Sequence, residues 1–234
     1  MFQIRTALRA TALGMAALAV GVGAQAASLT EGFDSMLPAG WTMTNLSSPV
    51  GTTAWFQGND VVFSSQSGAS TSYAGANYNN GSGTATLSDW LISPTLSFDN
   101  GDVISFYSRT VDSPAFADRL ELRFSSVGGT DVGATSTSVG TFTTLLLTIN
   151  PTLTTSGYPN TWTQYTATIT GLSGTTSGAI AFRYFVPNGG PGGANSDYVG
   201  IDTLTISPAA VPEPATYLLM ALGLGAFVLR RSRA

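Results

Sequence analysis

The sequence predicts an all-β fold, a β-sandwich carried between two short apolar end segments. Three observations predict it. Short runs of alternating, β-branched or aromatic residues recur through the middle of the chain, each closed by Gly, Asn or Pro. No stretch there shows a long helical period bounded by caps. Charged residues make up only 9% of the chain against 43% hydrophobic ones, a balance that favours a packed core over disorder. Residues 28–210 are enough for one domain with a core, and no linker or fixed-period repeat divides them.

Taken in order, residues 28–41 read as a short strand, a Pro38-Ala39-Gly40 turn and Trp41. Ala54-Trp55-Phe56 and Val61-Val62-Phe63 read as strands parted by the turn Gly58-Asn59-Asp60. Residues 68–83, rich in Gly, Ser and Asn, read as a loop that carries Tyr73 and Tyr78. Residues 89–94 read as a short strand stopped by Pro94. Within 103–109, Ile104 and Phe106 share a face. Residues 119–125 alternate most cleanly: Leu120, Leu122 and Phe124 face inward, and Arg119, Glu121 and Arg123 face solvent. Residues 141–149 form an apolar, Thr-rich strand. Further strands put Tyr165, Ala167 and Ile169 on one face, then Ile180, Phe182, Tyr184 and Val186 on another. A Gly/Pro loop at 187–195 leads into a last strand at 198–206.

Composition excludes several chemistries. The chain has no Cys and no His, and every basic residue is Arg. A disulfide framework, a thiolate metal site and a Cys nucleophile are therefore ruled out. The commonest general base and transition-metal ligand is missing as well. Between the end segments, Arg109, Arg119, Arg123 and Arg183 stand against twelve carboxylates, a net charge of about −8. Such a surface does not bind nucleic acid through a basic patch.

The chain ends read as targeting segments. Residues 1–10 carry Arg5 and Arg9 without an acid, residues 11–22 are apolar, and Ala24-Gln25-Ala26 follows. That order predicts a secretory signal peptide, residues 1–26, cut after Ala26 by signal peptidase; an uncleaved anchor or a buried helix is the alternative. At the other end, Val211-Pro212-Glu213-Pro214 precedes an apolar segment at 215–229, then Arg230, Arg231 and Arg233. At 1.5 Å per residue, the segment is a hydrophobic helix shorter than the ~30 Å of a bilayer core. The arginines keep its end cytoplasmic. Residues 211–234 strongly resemble the PEP-CTERM sorting signal of bacterial exported proteins. The resemblance implies recognition at Pro212-Glu213-Pro214 by an exosortase, a membrane Cys peptidase, and removal of the transmembrane tail. It also implies transient anchoring in the inner membrane of a Gram-negative bacterium, then residence at the cell surface or in an exopolysaccharide matrix. An ordinary tail anchor is the alternative.

The middle also carries a resemblance. Glu31-Gly32-Phe33, Pro38-Ala39-Gly40-Trp41, Trp55, the 89–94 run, Phe106 and Asp197-Tyr198-Val199-Gly200-Ile201-Asp202 resemble the choice-of-anchor J domain. That family is similar to cleaved-adhesin and MAM-type jelly rolls. The resemblance spans residues 28–207. It implies a jelly-roll β-sandwich whose first and last strands lie close together. It implies an adhesive or carbohydrate-associated role more than catalysis.

Candidate sites follow from these frames. Jelly rolls of this kind often hold a structural Ca²⁺, which takes six to eight oxygens. Glu31 and Asp34 on the first strand and Asp202 on the last are candidate ligands, with solvated strand-end charges as the alternative. Tyr73 and Tyr78, in loop-like surroundings, are candidates for stacking on sugar rings; Trp162 and Tyr198 are further ones, against core packing. A carbohydrate-active enzyme is the alternative function and would need two carboxylates flanking a sugar. Asp89, Asp118, Glu121 and Asp202 are available, but no spacing singles out a pair. No Gly-x-Ser-x-Gly elbow or phosphate loop is present, so the reading is a binding module without catalysis. Asn45-Leu46-Ser47 and Asn80-Gly81-Ser82 match the N-glycosylation pattern.

Overall fold

The computed structural model describes residues 28–209. The signal peptide expected at 1–26 and the sorting segment expected at 211–234 lie outside the described residues. Among those described, no helix is long and apolar enough to cross a membrane. The chain runs through β1 (Leu29–Glu31), β2 (Thr42–Asn45), β3 (Ser48–Val50), β4 (Phe56–Gln57) and β5 (Ala74–Asn77). A 3₁₀ turn, η1 (Tyr78–Asn80), follows, then β6 (Gly81–Ile92), β7 (Leu96–Phe98), β8 (Val103–Thr110) and β9 (Leu120–Ser125). The last four are β10 (Thr144–Ile149), β11 (Thr163–Thr168), β12 (Thr176–Gly189) and β13 (Tyr198–Ser207).

These strands make two antiparallel sheets packed as a jelly-roll sandwich. The first sheet orders β11-β8-β13-β5-β4, with β1 also on β13. The second orders β10-β9-β12-β6-β2, with β3 on β6 and β7 on β12. The first and last strands do pair: Leu29 faces Ile206 and Glu31 faces Leu204. One edge of β13 thus serves two strands, β5 over residues 198–201 and β1 over 204–206. Between them β13 slips register against β8, and Thr203 takes a left-handed φ of 49°. That is a bulge at the point where the edge changes partner.

The core is where the alternation put it. Phe106 and Ile104 of β8 meet Phe182 and Ile180 of β12 between the sheets, all fully buried. The Phe106 and Phe182 rings meet edge-on at 4.8 Å. Burying each such side chain stabilises the fold by about 1.5–3 kcal/mol. Leu120, Leu122 and Phe124 join the same core, as do Tyr184 and Val186.

Three expectations need correction. The 68–83 stretch is not a loop throughout: Ala74–Asn77 is β5, paired with β13. Its residues are small because the site is crowded. A Cβ on Gly75 would sit 2.7 Å from the Tyr198 hydroxyl and 2.8 Å from the Phe56 ring. Secondly, Val61–Phe63 forms no strand. It turns over the outer face of the first sheet, with Val61 90% exposed and Phe63 buried against Tyr73, Tyr198 and Trp162. Thirdly, the polar face of β9 is not solvated. Glu121 and Arg183 are buried under the connection between β9 and β10, where Phe142 packs on Trp90. Arg183 donates to Glu121 at 3.3 Å, to Ser88 at 3.0 Å and to the Ser136 carbonyl at 2.7 Å. Burial lowers its pKa to about 10, still a charged guanidinium. A buried ion pair needs those extra bonds to offset its desolvation.

Candidate functional site

At one end of the sandwich, β5, β8 and β12 stop while β6, β9 and β13 start. Three connections meet there: η1, the β8–β9 loop and the β12–β13 loop. Asn77 caps η1 by accepting the Asn79 amide at 2.9 Å, a local turn that Asn forms readily. The Tyr78 amide then donates to the Asp197 carbonyl at 3.1 Å, fixing η1 to the start of β13. From the β8–β9 loop, the Ala115 amide donates to Asp197 Oδ2 at 3.3 Å. The Ser196 amide donates to the Ala117 carbonyl at 2.9 Å.

The β12–β13 loop is held in a tight form. Ser196 sits at φ 76°, a left-handed conformation uncommon for a residue with a side chain. Its hydroxyl accepts the Gly190 amide at 2.9 Å. Gly190 has φ 86°, and a Cβ there would lie 2.4 Å from the Gly83 carbonyl, so only glycine fits. Local strain of this kind persists where the surroundings fix it, and it often marks a binding site.

Between the three connections lies a cleft of about 440 Å³, lined by Tyr78, Phe116, Pro191, Ser196 and Asp197 among others. Tyr78 is 41% exposed and Phe116 42%, both large rings left open to solvent. Asp197 is the charged residue of the lining, and burial raises its pKa. Behind it, Asp118 is fully buried. Asp118 Oδ1 accepts the Asp197 amide at 2.8 Å and the Tyr184 hydroxyl at 2.5 Å. Oδ2 lies 2.8 Å from Thr110 Oγ1. Burial raises its pKa to about 6. Asp118 ties β8, β12 and β13 together and does not reach the cleft itself. A cleft of this size, with aromatic residues and few polar groups in its lining, can hold a small ligand. A neighbouring cleft of about 370 Å³, lined by Pro114, Thr155, Ser156 and Tyr158, offers no exposed aromatic ring, since Tyr158 is buried.

Of the residues singled out from sequence, Tyr78 lies in this cleft and Tyr73 does not. Tyr73 is fully buried, stacked on Phe63 at 4.9 Å, with its hydroxyl bonded to both the amide and the carbonyl of Asn59. Tyr198 is buried in the same cluster, and Trp162 Nε1 donates to the Ser64 carbonyl at 2.9 Å. These three rings hold down a loop. Phe116 and Asp197 were missed as site residues. Pro114, two residues before Phe116, marks a loop, but nothing in a sequence tells an exposed phenylalanine from a buried one.

The candidate metal ligands are placed close in topology but not as a cation site. Among the described residues no group of three such side chains is arranged to hold a metal ion. Asp34 is exposed, and Glu31 accepts the Phe33 amide at 2.8 Å. Asp202 accepts backbone amides of Gln66 at 2.7 Å, Ser67 at 3.1 Å and Thr203 at 2.6 Å. Amide protons directed at both of its oxygens leave little room for a cation, so these donors do not fit Ca²⁺. The acids weighed for catalysis are also apart. Asp89 is buried against Asn80, Asp202 holds the 66–67 amides, and Glu121 pairs with Arg123 and Arg183. Neither sequon is free. Asn45 donates to the carbonyls of Thr53 and Asn80, and Asn80 is fully buried. The sorting residues Pro212, Glu213, Pro214, Arg230, Arg231 and Arg233 lie outside the described residues.

Comparison with known proteins adds two findings. Residues 210–233 match the PEP-CTERM protein-sorting motif, so the chain ends in a sorting signal. The described fold is similar to the K1 cleaved adhesin domain of Lys-gingipain from Porphyromonas gingivalis. They share 22% identity over 79% of this chain and 99% of that domain, with a TM-score of 0.55. The K3 domain of the same protein gives 20% identity over 78% and 100%, with a TM-score of 0.52. The K2 domain gives 18% over 77% and 99%, at 0.53. Identities this low establish the shared sandwich and nothing finer. No curated protein matches the sequence.

Proposed function

We propose that this chain is an exported, surface-displayed binding module that holds a polysaccharide in the cleft of Tyr78, Phe116 and Asp197, without catalysis. The carrying observation is that two exposed rings and one carboxylate converge in a preformed cleft. A ring face supplies area at low entropic cost, and a carboxylate fixes orientation through sugar hydroxyls. The acids weighed for hydrolysis are buried and bonded elsewhere, which leaves the cleft without a flanking pair. The test is a glycan array probed with the full chain, then with Tyr78→Ala and Phe116→Ala. Each variant should weaken the best hit about tenfold. Melting temperature should stay within about 2 °C, since both rings are partly in solvent. Unchanged binding in both variants would rule this cleft out.

Display follows from the sorting signal. In this reading signal peptidase removes residues 1–26 and the tail holds the protein in the inner membrane of a Gram-negative host. An exosortase then acts at Pro212-Glu213-Pro214, and the sandwich reaches the surface or its exopolysaccharide matrix. The sequence-matched sorting motif supports this. Replacing Pro212 and Pro214 together by Ala should leave the tail attached and the protein in the inner-membrane fraction. A mature mass identical to the wild type would contradict the exosortase step.

A further inference from the structure

Resting on the glycan reading of the cleft, we infer that its preferred ligand is an amine-bearing sugar polymer, a partly or fully N-deacetylated hexosamine chain, held through its ammonium groups. Asp197 is the cleft's charged lining residue, and it shares the lining with the exposed Tyr78 and Phe116. A carboxylate and aromatic rings lining one cleft are groups that recognise a cation: the carboxylate forms the ion pair, and a ring face attracts the same charge through its quadrupole. Among the described residues no arginine pairs with Asp197; the ion pairs run from Arg109 to Asp112 and from Arg123 and Arg183 to Glu121. The carboxylate is held in place instead by the neutral amide of Ala115. No cationic side chain among the described residues therefore occupies it.

The rest of the domain selects in the same direction. All four of its arginines are occupied. Arg109 also lies over the Phe63 ring at 4.4 Å, and Arg119 lies over Phe185 at 4.6 Å while donating to the Phe185 carbonyl at 2.8 Å. Arg123 donates to the Phe142 carbonyl and Arg183 to Ser88 and Ser136. Among the described residues no guanidinium lines the cleft to receive a uronate or sulfate group. With a net charge of about −8 between its end segments, the protein repels acidic polysaccharides and attracts basic ones at long range. A neutral sugar gains stacking and hydroxyl hydrogen bonds to the carboxylate, whereas an ammonium gains the ion pair as well.

The test uses the full chain in detergent and three hexasaccharide probes: glucosamine, N-acetylglucosamine and galacturonic acid. Titration calorimetry should rank the glucosamine hexamer about tenfold above the acetylated one, with the galacturonate weakest. Asp197→Asn keeps an oxygen for the Ala115 amide and removes the charge. It should bring the two hexosamine affinities to within about twofold, mainly by weakening the amine-bearing one. Equal affinity for both hexosamines in the wild type overturns the amine recognition and leaves the glycan cleft standing. Absence of binding to either also overturns it; the glycan array, which does not depend on the amine, then decides whether the cleft reading falls too.

Discussion

Thr110 has one hydroxyl proton and two oxygens near it, Asp118 Oδ2 and the Tyr198 carbonyl, each at 2.8 Å. The carbonyl can only accept. If Asp118 carries a proton, it donates to Thr110, and the hydroxyl proton goes to Tyr198; every group is then satisfied. Burial raises the folded pKa of Asp118 from an ordinary 3.8 to about 6, which agrees with a neutral carboxyl in acid. The folded chain thus keeps a proton that the unfolded chain releases between those values. The resulting stabilisation is complete below about pH 4 and lost as pH rises through about 6. Asp118→Asn supplies a permanent donor to Thr110. Compared by denaturant unfolding at pH 4.5 and 7.5, the variant should gain about 1–3 kcal/mol on the wild type at the higher pH. A constant difference between the two proteins would refute a titrating Asp118. At this scale the sequence was partly legible. Tyr78 stood out because Asn and Gly surround it, yet Tyr73, five residues earlier in the same composition, is buried. What separates them is β5, whose pairing to β13 is a long-range contact.

The element that most changes the surface is the connection from β4 to β5. Its residue Phe63 sits in a cluster with Tyr73, Tyr198 and Trp162, and Arg109 covers its ring. Asp202 at the β13 bulge holds the Gln66 and Ser67 amides, and Thr203 Oγ1 donates to Gln66 at 2.7 Å. Apolar and polar anchors therefore fasten one segment over the outer face of the first sheet. Val61-Val62-Phe63 has the composition of a strand, but its apolar contacts run downward through Phe63 and the partly buried Val62, and Val61 is left in water. Phe63→Ala removes the central ring and should cost about 3–5 kcal/mol, or less if the loop simply lifts. Lifting has its own readout: limited proteolysis should cut within residues 59–72 of the variant and not of the wild type. Equal resistance in both would mean the polar anchors alone hold the loop. The clean alternation of β9 predicted its core face correctly. Its other face went wrong because the β9–β10 connection folds over Glu121 and Arg183, and alternation cannot see a covering loop.

Across residues 28–209, the longer strands, their inward residues and the all-β class were legible because each depends on a local period of two, whereas the short strands β3, β5 and β7 were not. The pairing of first and last strands followed from resemblance, not from pattern. The cleft was the hardest part to read, since it exists only where three connections at one end of the sandwich meet. Asp197 lay inside a recognised motif, but its place beside Tyr78 depends on the Tyr78 amide bond to its carbonyl. The same end carries Asp118 as its buried tie, so binding surface and fold stability share one set of bonds. An NMR titration of the full chain tests the account most directly, using glucosamine or N-acetylglucosamine hexasaccharide, whichever binds tighter. The largest amide shifts should fall on Tyr78, Ala115, Phe116 and Asp197. Shifts centred on the outer face of either sheet, with those four unmoved, would contradict it.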